Sequence, residues 1–152
     1  MRNLRTRTRT SWPDTTERDA NGAMRIGGVL LPELVQEFGT PLYVYDEETL
    51  RSRAREIRDI FAAVYPNSRV VYAGKAGMSP ALVSILSDEG LGLDVVSGGE
   101  IFAGRRAGMD PRRMIFHGNN KSLSELEEAS HAGVGLIAVD SQHEIGLLEE
   151  VA

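Results

Sequence analysis

The stretches Val70-Val71-Tyr72-Ala73, Leu91-Gly92-Leu93, Met114-Ile115-Phe116 and Leu136-Ile137-Ala138-Val139 decide the fold. Val71, Leu93, Ile115 and Ile137 follow one another at steps of 22 residues. Each run is short and apolar, as a strand buried on both faces must be. Helical patterns fill the gaps. Ser79-Pro80 opens one and Gly90 ends it, and Gly108 follows a second. Ser122 opens a third, with Glu125 completing a capping box and Gly133 at its end, and a fourth begins near Ser141. Apolar strands alternating with ten-residue helices predict parallel βα units. An open doubly wound sheet would want G-x-G-x-x-G after a strand, and only the incomplete Gly98-Gly99 stands near that place. The constant period favours equivalent units around a ring. The expected fold class is therefore α/β, a partial (β/α)8 barrel of about four βα units.

Upstream of Val70 the pattern is less regular. Residues 1–21, with Arg2, Arg5, Arg7 and Arg9 among threonines, carry no periodicity and read as a disordered tail. Residues 22–46 read as a strand–helix–strand lead-in. Met24-Arg25-Ile26 alternates like a short strand and stops at Gly27-Gly28, a helical face carries Leu30, Leu31, Leu34, Val35 and Phe38, and Pro41 through Tyr45 reads as a second strand. From residue 47 to 152 the chain reads as the barrel portion. Its first helix, capped by Asp46, draws an apolar stripe through Leu50, Ala54, Ile57, Phe61 and Val64.

Composition narrows the function classes. The 152 residues include no cysteine, which excludes disulfides, thiolate catalysis and cysteine-ligated zinc within the chain. A formal net charge of -5 argues against a general nucleic-acid binder. No apolar run approaches the ~20 residues needed to span a bilayer, so no membrane partner and a cytoplasmic location are expected. Nothing in the motifs points to a metal.

In either α/β architecture, chemistry collects at the carboxyl ends of the strands. Those ends carry Lys75, Asp94, His117 and Asp140. A lysine at the end of a buried strand can reach the barrel mouth, where desolvation favours the neutral amine that attacks a carbonyl. The alternative is a lysine that snorkels to solvent. Asp94 sets the charge state of Lys75 or caps the following turn. His117 stacks on a ring, acts as acid or base, or satisfies backbone groups. Asn119-Asn120 suits polar recognition or an Asx turn, and Ser97-Gly98-Gly99 suits an anion site or a plain N-cap.

Tyr72-Ala73-Gly74-Lys75-Ala76 resembles the Y-A-x-K-A signature of the fold-type III pyridoxal-phosphate-dependent decarboxylases. Residues 94–100 (DVVSGGE) and 116–122 (FHGNNKS) resemble the diaminopimelate decarboxylase branch of that family. Residues 38–46 (FGTPLYVYD) are similar to the family segment that leads into the barrel. The resemblance runs from about residue 22 to the last residue, in order and with normal spacing. It departs at Gly77-Met78, where the family commonly has a bulky aromatic or an asparagine, then often a leucine.

The resemblance implies that Lys75 carries pyridoxal 5'-phosphate as a Schiff base. It also implies that Ala73, Asp94 and, more weakly, His117 belong to the cofactor site. The implied reaction is decarboxylation of meso-2,6-diaminopimelate to L-lysine, on a small amino-acid substrate and in a homodimer. An ornithine- or arginine-type decarboxylase and a non-catalytic remnant that binds pyridoxal phosphate are the alternatives. Eight units of about 22 residues need roughly 176 residues, within the ~250 typical of the fold, and fewer than four fit after Val70. The chain is therefore expected to be an N-terminal part of a longer enzyme. Its exposed strand edges are expected to make it unstable alone.

Overall fold

A computed structural model describes residues 11–152. Arg2, Arg5, Arg7 and Arg9 of the expected tail lie outside the described residues. The chain forms two compact units that divide after Ser52.

The first unit holds a three-stranded antiparallel sheet in the order β1 (Glu17–Arg18), β2 (Met24–Ile26), β3 (Val29–Leu30). Ile26 pairs with Val29 across Gly27-Gly28, whose φ values of 56° and 81° give the mirror-image turn that suits a two-residue hairpin. Helix α1 (Leu31–Phe38) follows, with Pro32 in its first turn and Gly39 as its C-cap.

Residues 17–18 do not belong to the disordered tail expected over residues 1–21, because Glu17–Arg18 pairs with Met24–Arg25. The Asp19 carboxylate makes that hairpin by accepting the N–H groups of Asn21 and Ala23, at 2.9 and 3.0 Å. The strand expected over Pro41–Tyr45 is not one. Its residues are apolar and β-prone, but no described segment lies beside it to complete a ladder, and Tyr43 is 90% exposed. A strand exists only where a neighbour accepts its hydrogen bonds.

Helix α2 (Glu47–Val64) crosses from the first unit to the second. Asp46 caps it, accepting the Thr49 N–H at 2.8 Å. Of the expected apolar stripe only Ala54 is buried, while Ile57, Phe61 and Val64 are exposed.

The second unit is a parallel four-stranded sheet in sequence order: β4 (Val71–Ala73), β5 (Gly92–Val95), β6 (Met114–Phe116) and β7 (Leu136–Ile137). Helices α3 (Pro80–Asp88), α4 (Gly98–Arg106) and α5 (Leu123–Ala132) connect them, and α6 (Gln142–Val151) follows β7. These are consecutive βα units of the (β/α)8 type, as expected. Leu93, Val95, Met114 and Phe116 point to the helices and form the core with Val83, Ile101, Leu126 and Ala129. Gly104 lets α4 lie close to the sheet, since a Cβ there would stand 2.8 Å from the Met114 methyl. The alternate residues Val71, Ala73, Gly92, Asp94, Ile115 and Leu136 line the opposite face.

The register carries a stagger. Val71 pairs with Gly92, Leu93 with Met114, and Ile115 with Leu136, each a step of 21 residues. The sequence repeats every 22. Equivalent residues therefore advance one position along each successive strand, and eight such steps would give the shear of 8 characteristic of this barrel.

Candidate functional site at the carboxyl ends of the strands

The end of β4 turns at once into a single 3-10 turn, Gly74–Ala76, that carries Lys75. Gly74 is buried against the next strand, and a Cβ on it would meet the Asp94 carbonyl oxygen at 3.1 Å and the Met78 sulfur at 3.3 Å. A side chain there would have to push these neighbours by a few tenths of an ångström, so glycine keeps the turn that carries Lys75 tight against the sheet end. Tyr72 fastens the turn by donating its hydroxyl to the Gly77 carbonyl at 3.1 Å. Lys75 itself is exposed, so the desolvation expected of it is not provided by the described residues.

Asp94 is the register partner of Ala73 and stands on the same face of the sheet. Its side chain is 19% exposed. His117 follows β6, extending the ladder through its N–H to the Val95 carbonyl at 2.8 Å. Its ring Nδ1 lies 3.8 Å from Asp94 Oδ1, an ionic contact when the ring is protonated. Thus Ala73, Asp94 and His117 share one end of the sheet on three neighbouring strands, with Lys75 one turn beyond Ala73. Asn119 and Asn120 are exposed, and Asn120 takes φ 60°, the left-handed form expected of an Asx-type turn. Ser97 is the N-cap of α4, accepting the Glu100 N–H.

Three glutamates that the sequence reading did not join organise the rim. Each stands three residues after a serine N-cap: Ser97 and Glu100, Ser122 and Glu125, Ser141 and Glu144. Glu100 accepts the Val96 N–H at 2.6 Å, Glu125 that of Ser122 at 3.0 Å, and Glu144 that of Asp140 at 3.0 Å. Two of them also reach back one unit. Glu125 accepts the Gly98 N–H at 3.0 Å, and Glu144 pairs with Lys121 at 2.9 Å. Hydrogen bonds from the Gly98 and Ser122 N–H groups and the Ser122 hydroxyl hold the Glu125 carboxyl below its usual range. Burial pushes Glu144 up, but the Lys121 ammonium and the Asp140 N–H outweigh it and hold its carboxyl low. Only the Ser122–Glu125 box was read from the sequence; the thrice-repeated S-x-x-E was the available signal for the rest.

A phosphorylated aldehyde such as pyridoxal phosphate needs a reachable primary amine and a polar rim. Among the described residues Lys75 has no hydrogen bond or ion pair, and Asp94 and His117 bring a carboxylate and a planar ring to the same sheet end. The residues present fit that group. No cluster of three or more candidate metal ligands occurs among the described residues, and no described helix is long and apolar enough to cross a membrane.

Comparison with known proteins agrees with this arrangement. Residues 47–152 match the family described as pyridoxal-dependent decarboxylase, pyridoxal binding domain. The chain is 46% identical over 141 residues to a diaminopimelate decarboxylase of Mycobacterium bovis, covering 93% of this chain and 31% of that protein. It is 44% identical over 137 residues to a diaminopimelate decarboxylase of Bacillus methanolicus, covering 90% and 32%. The crystal structure of diaminopimelate decarboxylase from M. jannaschii in complex with L-lysine superposes with a TM-score of 0.81 at 32% identity, over 91% of this chain and 32% of that one. The chain thus spans about a third of the length of the relatives it matches. By sequence, fold and the placement of Lys75, the chain belongs to the pyridoxal-dependent decarboxylases and matches their pyridoxal binding domain.

Proposed function

We propose that this chain provides the lysine-bearing part of the active site of a diaminopimelate decarboxylase, which removes CO2 from meso-2,6-diaminopimelate to yield L-lysine. The observation that carries the reading is Lys75, an exposed amine without a described partner, seated over the register pair Ala73–Asp94. The identity to proteins named diaminopimelate decarboxylase supports the substrate, as does the L-lysine in the M. jannaschii structure.

Lys75 would hold pyridoxal phosphate through Nζ and release it to the amine of the substrate. When bound, that cofactor supplies the conjugated ring that accepts the electron pair left by departing CO2. Asp94 places a carboxylate on the face of the sheet below the Lys75 turn, as the register partner of Ala73. The methyl side chain of Ala73 leaves room on the same face. His117, 3.8 Å from Asp94, contributes a planar ring beside that carboxylate, an ionic contact when the ring is protonated. Residues 22–46 serve as the lead-in to the barrel portion, 47–152. The working enzyme is a cytoplasmic homodimer, which light scattering would test.

The decisive experiment adds pyridoxal phosphate to the protein, reduces with borohydride and maps the modified peptide. A visible absorbance band that reduction abolishes, and a label on Lys75, are expected. Lys75→Ala should lose both, and a Lys75→Ala protein that keeps the band would refute the assignment. Release of CO2 from meso-2,6-diaminopimelate, but not from ornithine, by the enzyme containing this chain would test the substrate.

A further inference from the structure

Lys121 and Glu144 are charged residues that the proposed chemistry does not use, yet their side chains are only 1% and 3% exposed. All three N–H groups of the Lys121 ammonium are engaged. They donate to the Gly118 carbonyl at 2.6 Å, the Ala138 carbonyl at 2.7 Å and Glu144 Oε1 at 2.9 Å. The second Glu144 oxygen accepts the Asp140 N–H. The ammonium also lies 5.4 Å from the centre of the Phe116 ring. One ion pair thereby joins the loop after β6, the end of β7 and the start of α6.

Stability alone is a weak reason for such a pair, because apolar residues of similar volume commonly fill a buried site at no loss. An apolar pair, however, could not bind two carbonyls from separate loops. The Gly118 carbonyl belongs to the residue directly after His117. That loop has left-handed geometry, with φ 114° at Gly118 and 60° at Asn120. Glycine and asparagine adopt these angles readily and others as well, so the residues themselves do not fix this path. Lys121 enforces it by reaching back three residues.

We infer that the buried Lys121–Glu144 pair is a positioning device for the site: by gripping the Gly118 carbonyl it holds the His117 ring against Asp94. The consequence for cofactor binding rests on the reading of Lys75 given above. The placement of His117 does not, and it can be measured without any cofactor.

The test compares the wild type with Lys121→Met and with Lys121→Met/Glu144→Leu. Thermal melting and the NMR resonances of the His117 ring are followed with and without Asp94→Asn. Lys121→Met strands the Glu144 charge and should melt earlier, whereas the double variant should recover most of the melting temperature. Despite that recovery, its His117 resonance should move and no longer respond to Asp94→Asn, and its dissociation constant for pyridoxal phosphate should rise about tenfold. A double variant whose His117 resonance and response match the wild type overturns the inference. Lys121→Met alone, which removes the grip on the Gly118 carbonyl and is read below its melting temperature, gives the same readout should the double variant fail to fold. Failure of the wild type to bind pyridoxal phosphate would refute the function proposed above and leave the His117 result as the sole judge of this inference.

Discussion

At the carboxyl ends of β5, β6 and β7 the carboxylates Glu100, Glu125 and Glu144 gather main-chain N–H groups. At the amino ends, arginines gather main-chain carbonyls instead. Arg58 donates to Glu89 at 2.6 Å, Arg69 to Arg112 at 3.2 Å, and Arg113 to Leu91. The division follows from the chain direction. In a parallel βα array every helix begins at one end of the sheet and finishes at the other. Unsatisfied N–H groups and a positive dipole end collect at the carboxyl side, unsatisfied carbonyls at the amino side. The two ends also differ in tightness. A Cβ on Gly135 would lie 2.1 Å from the Arg112 carbonyl oxygen, and one on Gly92 2.3 Å from that of Arg113. At the carboxyl end Gly99 has only the Ser97 hydroxyl nearby, at 3.9 Å. The amino end is closed by backbone against backbone at Gly92 and Gly135, whereas at the carboxyl end Gly98 faces the Glu128 side chain at 2.8 Å, Gly74 approaches the Asp94 carbonyl less closely at 3.1 Å, and Gly99 stands open.

The sharpest way to break this comparison is a methyl group placed at each end. Gly135→Ala should cost about 2–3 kcal/mol in denaturant unfolding, because the obstacle is backbone that cannot swing away. Gly99→Ala should stay within about 1 kcal/mol of the wild type. Equal losses would mean that the two ends pack alike.

Acid should act on the carboxyl end through its two low-lying, partly or fully buried carboxylates. Glu125 and Glu144 are both held low in the folded chain. A depressed carboxyl contributes fully above its unfolded value of about 4.3, and the contribution is lost as pH falls through the lower folded value. Thermal midpoints should therefore drop below about pH 4.3, and Glu125→Gln should flatten that drop. An unchanged slope in Glu125→Gln would remove this carboxylate from the account.

Smaller effects separate the individual clamps. Glu125→Ala removes bonds to Ser122 and Gly98 together and should cost about 1–2 kcal/mol. Arg58→Met, which loses the Glu89 carbonyl contact and the exposed pair with Asp59 but keeps the stem, should cost about 0.5–1 kcal/mol. Arg112→Ala breaks an exposed pair with Asp110 and should leave the melting temperature unchanged.

What could be read in the sequence follows how local each cause is. The strands announced themselves because four apolar runs recur at one spacing, and the serine caps because Ser79, Ser97, Ser122 and Ser141 each act within one turn. Lys75, Asp94 and His117 could be placed at one sheet end for the same reason. Lys121 and Glu144 are 23 residues apart, so nothing near either residue names its partner. Pro41–Tyr45 failed in the opposite sense: its apolar, β-prone composition is genuine, but a ladder requires a neighbour that no local pattern can supply. β1 was missed because two residues are too few for any period, and its cause is the Asp19 turn beside it.

The one-residue stagger between repeat and register has a geometric consequence for any ligand across the mouth. One residue of rise, about 3.3 Å, over one strand spacing, about 4.8 Å, inclines the strands by about 35° to the axis. That tilt cancels the stagger: residues one repeat apart, such as Lys75, Ser97 and Asn119, stand at one height about the axis, whereas ladder partners 21 apart lie on a slope. Counted along the register from Lys75, Val96 and His117 step progressively toward the amino ends of the strands. A ligand reaching from the level of Lys75 to His117 would therefore lean into the mouth rather than lie flat across it.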